Sequence, residues 1–378
     1  MKERKLDAIL ASSPENFFYA GDLYIPFIDR FRGFSSGFGQ FVLVPLEGDP
    51  VLCVTALDAD LAKVVSPIKD QRFTRTWAYF RREKGDEIDV YENTIVALED
   101  VLKEKGLTKA TIGFEEKTLP IVDYRKIVEK LPNVEFEDAS KTFLDIRAVK
   151  IQEEVDRIKR ACEISEKGFE AAFSVAREGA TEADFLRAFQ LEITKQGGYM
   201  HKGLIHQNLT IGKESATVRR GWPLDHKLKK GDVMRFDGGA IYYGYRCDFA
   251  RCRVLGKPSE KIVKVYNALT EAQKRIVDMI EPGVKFSDLF KTGMKTVREM
   301  GYPDFERSHL GHGLGLITEE EPLVNPNNDI ELEENMVLSI EVPYYWTGVA
   351  GFNIEDVVHV TSDGHDIFTP NLHRGLEL

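Results

Sequence analysis

The sequence predicts an α/β domain followed by an α+β domain, and three observations support this. At 378 residues, the chain is longer than a domain with a single hydrophobic core usually is. Up to residue 147, short apolar runs alternate with helical patterns, as in helices covering a mixed sheet. From residue 148 onwards, long amphipathic helices lie between β-rich stretches with hairpin signals. We therefore predict domains at residues 1–147 and 148–378.

The elements of the first domain follow from apolar runs and turn residues. A strand over 6–12 leads into a helix with Ser13 as its N-cap and Pro14 at its first position. Glu47-Gly48-Asp49 predicts a hairpin turn between two strands. The remaining predicted elements are strands at 41–45, 50–55, 111–114 and 134–136 and helices at 90–105 and from 121. We find no cluster of catalytic residue types in this domain.

The second domain opens with apolar residues at helical spacing, which predict one long helix over 150–177. Thr181 and Asp184 then resemble a capping box at the start of another helix. Two further helices are predicted over 259–280 and 286–300. The stretches between them are β-rich, so this half is predicted to be α+β.

Composition excludes several classes of function. Apolar residues make up 43% and charged residues 30%, which is typical of a globular protein. The net charge is −11, and the sequence contains no block of Lys and Arg residues. We therefore expect neither a nucleic-acid partner nor a membrane partner. No signal segment is recognisable, so we expect a cytoplasmic protein. The four scattered cysteines predict buried thiols rather than disulfides.

Two β-rich segments each carry a pair of acids. A hairpin turning at Tyr242-Tyr243 would place Asp237 directly opposite Asp248, and a hairpin centred on Gly348 would do the same for Glu341 and Glu355. Directly opposite side chains have Cβ atoms about 4.5–5.5 Å apart. Two carboxylates at that distance repel each other unless a proton or a cation lies between them.

A third segment, Gly311-His312-Gly313, places an imidazole between two glycines, which allow a close approach of the backbone. Four carboxylates and one imidazole form a ligand set that suits hard or borderline divalent cations. Any one of these residues alone is most simply explained as a turn, surface or structural residue. The combination favours a metal site, because four buried acids without cations cost more free energy than a domain can spare.

The order of these residues resembles a known signature. An Asp, a second Asp eleven residues later, a Gly-His-Gly motif, Ile340-Glu341 and Glu355-Asp356 resemble the five-ligand pattern of the family that contains prolidase, aminopeptidase P, methionine aminopeptidase and creatinase. Glu15-Asn16-Phe17-Phe18-Tyr19 is similar to the creatinase/prolidase-type N-terminal domain. The resemblance implies a pita-bread metallohydrolase domain over 148–378, preceded by that N-terminal domain.

The resemblance also implies roles for the five residues. Asp237 would bind one of two divalent ions, Asp248 and Glu355 would bridge both, and His312 and Glu341 would complete the ligand shells. Glu341 would also transfer a proton towards the leaving amine. Mn²⁺ or Co²⁺ is the expected metal, with Zn²⁺ or Fe²⁺ as alternatives. The expected partners are a small peptide or amino-acid-derived substrate and a second copy of the chain, as a homodimer.

The sequence departs from the peptidase pattern around these ligands. Glu319 stands where the peptidases usually carry a His, and Ser308 replaces a second His, with His309 one residue later. Asn353 replaces an Arg, and Arg219-Arg220 replaces an upstream Pro-His. We predict substrate contacts at four residues: His309, Glu319, Arg219 and Arg220. The alternative is that they are solvated or only support the site.

The sequence favours a Xaa-Pro dipeptidase or an aminopeptidase P-like exopeptidase. One alternative, based on the replaced histidines, is a hydrolase of a non-peptide C–N bond, like creatinase or an ectoine hydrolase. A second alternative is a catalytically silent binding homologue, against which the intact ligand set argues.

Overall fold

The structure is a computed structural model that describes the chain in five segments: residues 1–25, 38–75, 87–200, 209–217 and 223–378. These residues form two compact units, Met1–Phe143 and Leu144–Leu378. In the described segments, no helix combines the length and the apolar character needed to cross a bilayer.

The first unit contains one mixed sheet, with seven strands among the described residues. In chain order they are β1 (Ala8–Ala11), β2 (Phe41–Pro45), β3 (Val51–Thr55), β4 (Asp70–Thr74), β5 (Val90–Tyr91), β6 (Thr111–Phe114) and β7 (Glu135–Asp138). Their spatial order is β5-β4-β3-β2-β1-β6-β7. The β1–β2 and β2–β3 pairs are antiparallel and the others are parallel, which confirms the predicted mixed sheet and the hairpin at Gly48.

Helices cover both faces of this sheet. They are α1 (Pro14–Gly21), α2 (Ala59–Val65), α3 (Thr94–Glu104) and α4 (Ile121–Lys130), followed by α5 (Ser140–Ala148), which begins in this unit and ends in the second. Side chains alternate along β1, so Ile9 packs in one core with Phe17 of α1, while Leu10 packs in the other with Leu98 of α3. The Ser13 hydroxyl accepts a hydrogen bond from the backbone N–H of Asn16, as its predicted N-cap role requires.

The helix predicted over 90–105 was wrong at its start. Val90–Tyr91 forms β5, paired with β4, and α3 begins only at Thr94. Asn93 is the physical reason, because its side-chain oxygen accepts hydrogen bonds from the N–H groups of Ile95 and Val96. A capping Asn of this kind keeps an extended backbone at its own position, so the helix begins only after it.

The second unit is built around an antiparallel sheet. Its described strands are β8 (Thr210–Ile211), β9 (Val233–Gly238), β10 (Ile241–Tyr242), β11 (Tyr245–Arg246), β12 (Phe249–Val254), β13 (Gly311–Gly313), β14 (Glu320–Leu323), β15 (Val337–Glu341), β16 (Tyr344–Trp346), β17 (Ala350–Phe352), β18 (Glu355–Thr361) and β19 (Gly364–Ile367). The main sheet has the order β14-β13-β15-β18-β12-β9-β8, with β19 paired to β18. The β10–β11 and β16–β17 pairs form two small hairpins.

Four long helices pack on this sheet: α6 (Gln152–Ser174), α7 (Glu182–Lys195), α8 (Glu260–Val277) and α9 (Phe286–Glu299). Phe169 of α6 stacks on Phe236 of β9 and on Phe249 of β12, with ring centroids 4.1 Å apart in both cases. The helices predicted over 150–177, 259–280 and 286–300 are confirmed within a few residues at each end. The Thr181 capping box of α7 is present, with Asp184 as its second member.

A buried ion-pair network ties the segment 369–376 to the middle of the sheet. The Arg251 guanidinium is fully buried and pairs with Asp356 at 2.6 Å. It also donates to the carbonyls of Glu355, Thr369 and Leu372 at 2.6, 3.0 and 3.0 Å. Burial alone would raise the pKa of Asp356, but Arg251 and Arg374 hold that pKa below its usual range. These hydrogen bonds therefore link the segment, through Arg251, to the start of β18.

Candidate metal centre

The five predicted ligands lie on five neighbouring strands. Asp237 is in β9, Asp248 directly precedes β12, His312 is in β13, Glu341 ends β15 and Glu355 begins β18. These strands are consecutive in the sheet, in the order β13-β15-β18-β12-β9. Residues that are up to 118 positions apart in the chain are therefore brought to one region of the sheet.

The predicted pairing of Glu341 with Glu355 is confirmed. The two residues are direct partners in the β15–β18 ladder. The chain between them forms the small hairpin β16–β17, in which Trp346 pairs with Ala350 and Gly348 lies at the centre with a φ of 80°. A glycine is favoured at such a left-handed position.

The predicted pairing of Asp237 with Asp248 was wrong. Asp237 is opposite Ala250, and the chain reverses at Tyr243-Gly244 rather than at Tyr242-Tyr243. The φ angles of Tyr243 and Gly244 are 45° and 85°, and two successive positive φ angles are what a tight hairpin turn requires. Gly244 therefore fixes the turn one residue later than predicted, and the two acids are offset along the ladder.

Three of the predicted ligands form a compact buried cluster. One ligand atom from each of Asp248, His312 and Glu355 lies within 4.8 Å of the others. The Nε2 atom of His312 is 4.0 Å from Asp248 Oδ2 and 3.8 Å from Glu355 Oε1. These separations are longer than hydrogen bonds, and they match donor atoms that face a common centre.

The hydrogen bonding of His312 leaves one ring nitrogen available to that centre. Its Nδ1 lies 3.1 Å from the carbonyl oxygen of Gly313. A carbonyl only accepts, so Nδ1 carries the proton and Nε2 presents its lone pair to Asp248 and Glu355. A ring N–H that donates to a backbone carbonyl is the usual way of orienting a metal-binding histidine.

The acids of the cluster are in an environment that opposes their charge. Burial raises the pKa of Asp248 and of Glu355 well above their usual values, and the neighbouring carboxylates raise both further. The Oδ1 atom of Asp248 is buried and has no hydrogen-bond partner among the described residues. A divalent cation would satisfy this oxygen and offset the repulsion, so the donor set fits a divalent metal ion.

Asp237 and Glu341 join this cluster through Asn353. The side-chain amide nitrogen of Asn353 is 3.4 Å from Asp237 Oδ2, 3.3 Å from Glu341 Oε2 and 3.2 Å from Glu355 Oε2. Burial raises the pKa of Asp237, although Arg235 partly offsets this effect. Burial would raise the pKa of Glu341, but a hydrogen bond from His309 and the electrostatic influence of nearby basic residues together hold it below its usual value.

Sequence reasoning missed two residues at the site. Arg235 of β9 is fully buried and lies 3.0 Å from Asp237, and the hydroxyl of Ser339 lies 2.6 Å from Glu355 Oε1. The available signal for Arg235 was a charged residue inside an otherwise apolar strand, two positions before an Asp. Ser339 gave no signal, because a serine in a strand is unremarkable.

The structure places two of the four predicted substrate-contact residues. His309 has its Nε2 atom 3.2 Å from Glu341 Oε1, at the cluster. Glu319 is exposed, directly before β14, and its charge contributes to raising the pKa of Asp248. Arg219 and Arg220 lie outside the described residues.

A buried, acid-rich set of oxygen and nitrogen donors, converging from neighbouring strands of a sheet, is the donor set of a divalent metal centre. Comparison with known proteins makes this assignment specific. Residues 156–362 match the metallopeptidase family M24, and residues 1–149 match the creatinase/prolidase N-terminal domain. The chain belongs to metallopeptidase family M24 and is a metal-dependent peptide-bond hydrolase, which confirms the predicted family, fold class and enzyme class.

Individual relatives cover nearly the whole chain. It is 30% identical over 366 residues to the Xaa-Pro dipeptidase of Pyrococcus furiosus, across 96% of this chain and 93% of the relative. The prolidase structure from Pyrococcus horikoshii OT3 has a TM-score of 0.81 at 26% identity, covering 100% and 97% of the two chains. The X-Pro aminopeptidase structure from Thermotoga maritima MSB8 has a TM-score of 0.79 at 26% identity, covering 99% and 98%.

Proposed function

We propose that this hydrolase is a Xaa-Pro dipeptidase or aminopeptidase P-like exopeptidase with two divalent ions in its site. One observation carries the metal-dependent part of the proposal. Asp248, His312 and Glu355 converge to within 4.8 Å in a buried site whose acids have raised pKa values and whose Asp248 Oδ1 has no partner in the described chain. The names of the relatives from Pyrococcus and Thermotoga support the Xaa-Pro specificity.

In this proposal five residues would hold the ions. Asp248 and Glu355 would serve both ions, Asp237 would bind one of them, and His312 and Glu341 would complete the ligand shells. The oxygen-rich set with one imidazole favours Mn²⁺ or Co²⁺, with Zn²⁺ or Fe²⁺ as alternatives. Two such ions supply Lewis acidity, which lowers the pKa of a water molecule and polarises a carbonyl.

The side chains around the ligands have separate tasks. Glu341 is the group that takes a proton and delivers it to the leaving amine, and His309 at 3.2 Å orients its carboxylate. Asn353 holds the carboxylates of Asp237, Glu341 and Glu355 in a fixed relation. The Gly313 carbonyl keeps the Nε2 lone pair of His312 directed at the site.

We propose that substrate contacts come from His309, Glu319, Arg219 and Arg220. A carboxylate at Glu319 suits the amino group of a short peptide, and an arginine suits a substrate carboxylate.

We further propose two domains at residues 1–147 and 148–378, a homodimer and a cytoplasmic location. Light scattering tests the dimer, because a monomer at micromolar concentration contradicts it.

The decisive experiment is hydrolysis of Xaa-Pro dipeptides and tripeptides by metal-stripped protein, reconstituted in turn with Mn²⁺, Co²⁺ and Zn²⁺. We expect metal-dependent cleavage of the Xaa–Pro bond, with release of the N-terminal residue, at ordinary enzyme rates, above about 1 per second. A matched panel in which alanine replaces proline is the control. Cleavage of the alanine panel alone would contradict the Xaa-Pro specificity.

A further inference from the structure

Arg235 is a buried cation whose guanidinium pairs with the carboxylate of a proposed metal ligand. Its side chain is fully buried, and Nη1 lies 3.0 Å from Asp237 Oδ2. Nε donates to the Ser215 carbonyl at 3.2 Å, and Nη2 donates to the Thr217 carbonyl at 3.3 Å. The guanidinium also lies 5.2 Å from the ring centroid of Tyr345. Contacts on all three nitrogens fix the orientation of this side chain.

Asn353 approaches the same carboxylate from another strand. Its Nδ2 is 3.4 Å from the Asp237 oxygen that Arg235 holds, and it also lies within 3.4 Å of Glu341 and Glu355. An amide has only two N–H groups, so it cannot donate fully to three carboxylates. The backbone of Asn353 is fixed as well, because its N and O atoms are both 3.4 Å from Cys252 Sγ.

We propose that Arg235 is a positioning residue of the metal centre. Its guanidinium holds Oδ2 of Asp237 and thereby assigns Oδ1 to the cation. Asn353 alone does not do this, since its amide is shared among three carboxylates. The inference rests on the proposed role of Asp237 as a ligand, but it does not depend on which peptide is cleaved.

The effect on metal binding follows from the geometry. A carboxylate that is free to rotate must be ordered when the ion binds. The conformational entropy lost in ordering it weakens metal binding. Mutation of a residue that orients a metal ligand typically lowers metal affinity by about 10- to 100-fold. A fork-shaped guanidinium orients a carboxylate better than an ammonium, which carries its charge at one point.

The test is Mn²⁺ titration of metal-stripped Arg235→Met by calorimetry, together with the visible absorption spectrum of the Co²⁺ form. We expect Mn²⁺ affinity to fall by about 10- to 100-fold and the Co²⁺ spectrum to change, because the geometry at Asp237 changes. Unchanged Mn²⁺ affinity would overturn the proposal. No substrate is used, so the result is independent of the Xaa-Pro assignment.

Arg253→Met is the matched control. Arg253 is also a buried arginine of this sheet, with Phe173 at 5.1 Å and the carbonyls of His373 and Gly375 at 2.6 and 2.8 Å as acceptors. No carboxylate of the proposed ligands is among these partners. We expect this variant to lower stability and to leave Mn²⁺ affinity unchanged. An equal loss of affinity in both variants would mean a general packing effect and would overturn the proposal.

A conservative variant separates positioning from packing. If Arg235→Met does not fold, Arg235→Lys provides the test, since it keeps the charge and loses the fork. Wild-type affinity and spectrum in that variant would also overturn the proposal.

Discussion

Asp248 shows how strongly one side chain depends on what it binds. Its Oδ1 is buried without a hydrogen-bond partner among the described residues, and burial raises its pKa, which neighbouring acids raise further. Without a cation, such a carboxylate opposes folding, because burial and like charges both disfavour its ionised form. The same properties make it an effective ligand, since a divalent ion removes both penalties at once. Asp248 thus couples the stability of the site to metal binding.

Asp248→Asn is expected to abolish tight binding of the metal and to lower kcat/KM by at least about 10³-fold, because metal activation of water is lost. The metal-free variant should be at least as stable as metal-free wild type, since a buried charge has been removed. Metal analysis, peptide hydrolysis and urea unfolding measure these effects. Asp366→Asn, at an exposed acid of β19, is the control. A metal-free variant much less stable than wild type would contradict this view of Asp248.

The start of α7 shows how a local sequence signal becomes a stable element. The Thr181 hydroxyl accepts from the backbone N–H of Asp184, and the Asp184 carboxylate accepts from the backbone N–H of Thr181. Hydrogen bonds to its carboxylate from the Thr181 backbone N–H, the Thr181 hydroxyl and Arg187 lower the pKa of Asp184 to about 2. The folded state therefore favours the ionised carboxylate, and its contribution to stability depends on pH.

For Asp184 the direction of the pH dependence follows from its lowered pKa. The carboxylate stabilises the fold above its ordinary pKa of 3.8, and this contribution is lost as the pH falls from there towards 2. We expect Asp184→Asn to lower the urea midpoint of metal-stripped protein at pH 7, with a smaller difference at pH 3. Glu178→Gln, at an exposed acid before the same helix, serves as the control. A midpoint difference that is the same at both pH values would argue against this role.

Gly168 determines how closely α6 and α7 pack. A Cβ atom at this position would lie 2.6 Å from Phe189 and 2.7 Å from Ile193. Gly to Ala in a helix interior ordinarily stabilises by about 1 kcal/mol, but here we expect Gly168→Ala to destabilise by about 1–3 kcal/mol. Urea unfolding measures this difference. Gly364→Ala, where a Cβ would meet no atom within 4 Å, is expected to be nearly neutral. Stabilisation by Gly168→Ala would show that the two helices can separate without cost.

Local signals predicted most of these elements, and long-range contacts account for what was missed. The caps at Ser13 and Thr181 and the hairpin at Gly348 depend on neighbouring residues, so the sequence was sufficient to place them. The Asp237 register was wrong because Tyr243 adopts a positive φ angle that a tyrosine rarely takes. Arg235 was missed although Asp237 is only two positions away, because the Tyr345 ring that helps to enclose its guanidinium is 110 positions away in the chain.

All of the proposed metal ligands lie in one of the two compact units. Residues 1–143 have their own cores on the two faces of the mixed sheet, and the ligands lie in residues 144–378. The second unit carries the buried acids, so metal binding acts on its stability. The five ligands lie on five consecutive strands, and bound ions would link those strands to one another.

Removing the metal is expected to lower the melting temperature. A ligand present at 100 times its Kd stabilises the state that binds it by about 2.7 kcal/mol. Chelation should therefore lower the calorimetric transition of the metal-loaded protein and speed amide exchange in β13, β15 and β18. Restoring Mn²⁺ should reverse both effects, and Asp248→Asn should show neither. A transition that does not respond to chelator would argue against a metal centre in this sheet.

The buried Arg251 network has a consequence for the order of events during synthesis. Glu355 is the last of the proposed ligands to be translated, yet its backbone carbonyl is held by an arginine that also requires the carbonyls of Thr369 and Leu372. When all five ligands of a nascent chain have just emerged from the ribosome, the chain still lacks the hydrogen bonds between Arg251 and residues 369–372. Stable metal loading is thus expected only after residues 369–376 emerge. Stalled chains of increasing length, probed by proteolysis with and without Mn²⁺, should gain metal-dependent protection at that point and not before.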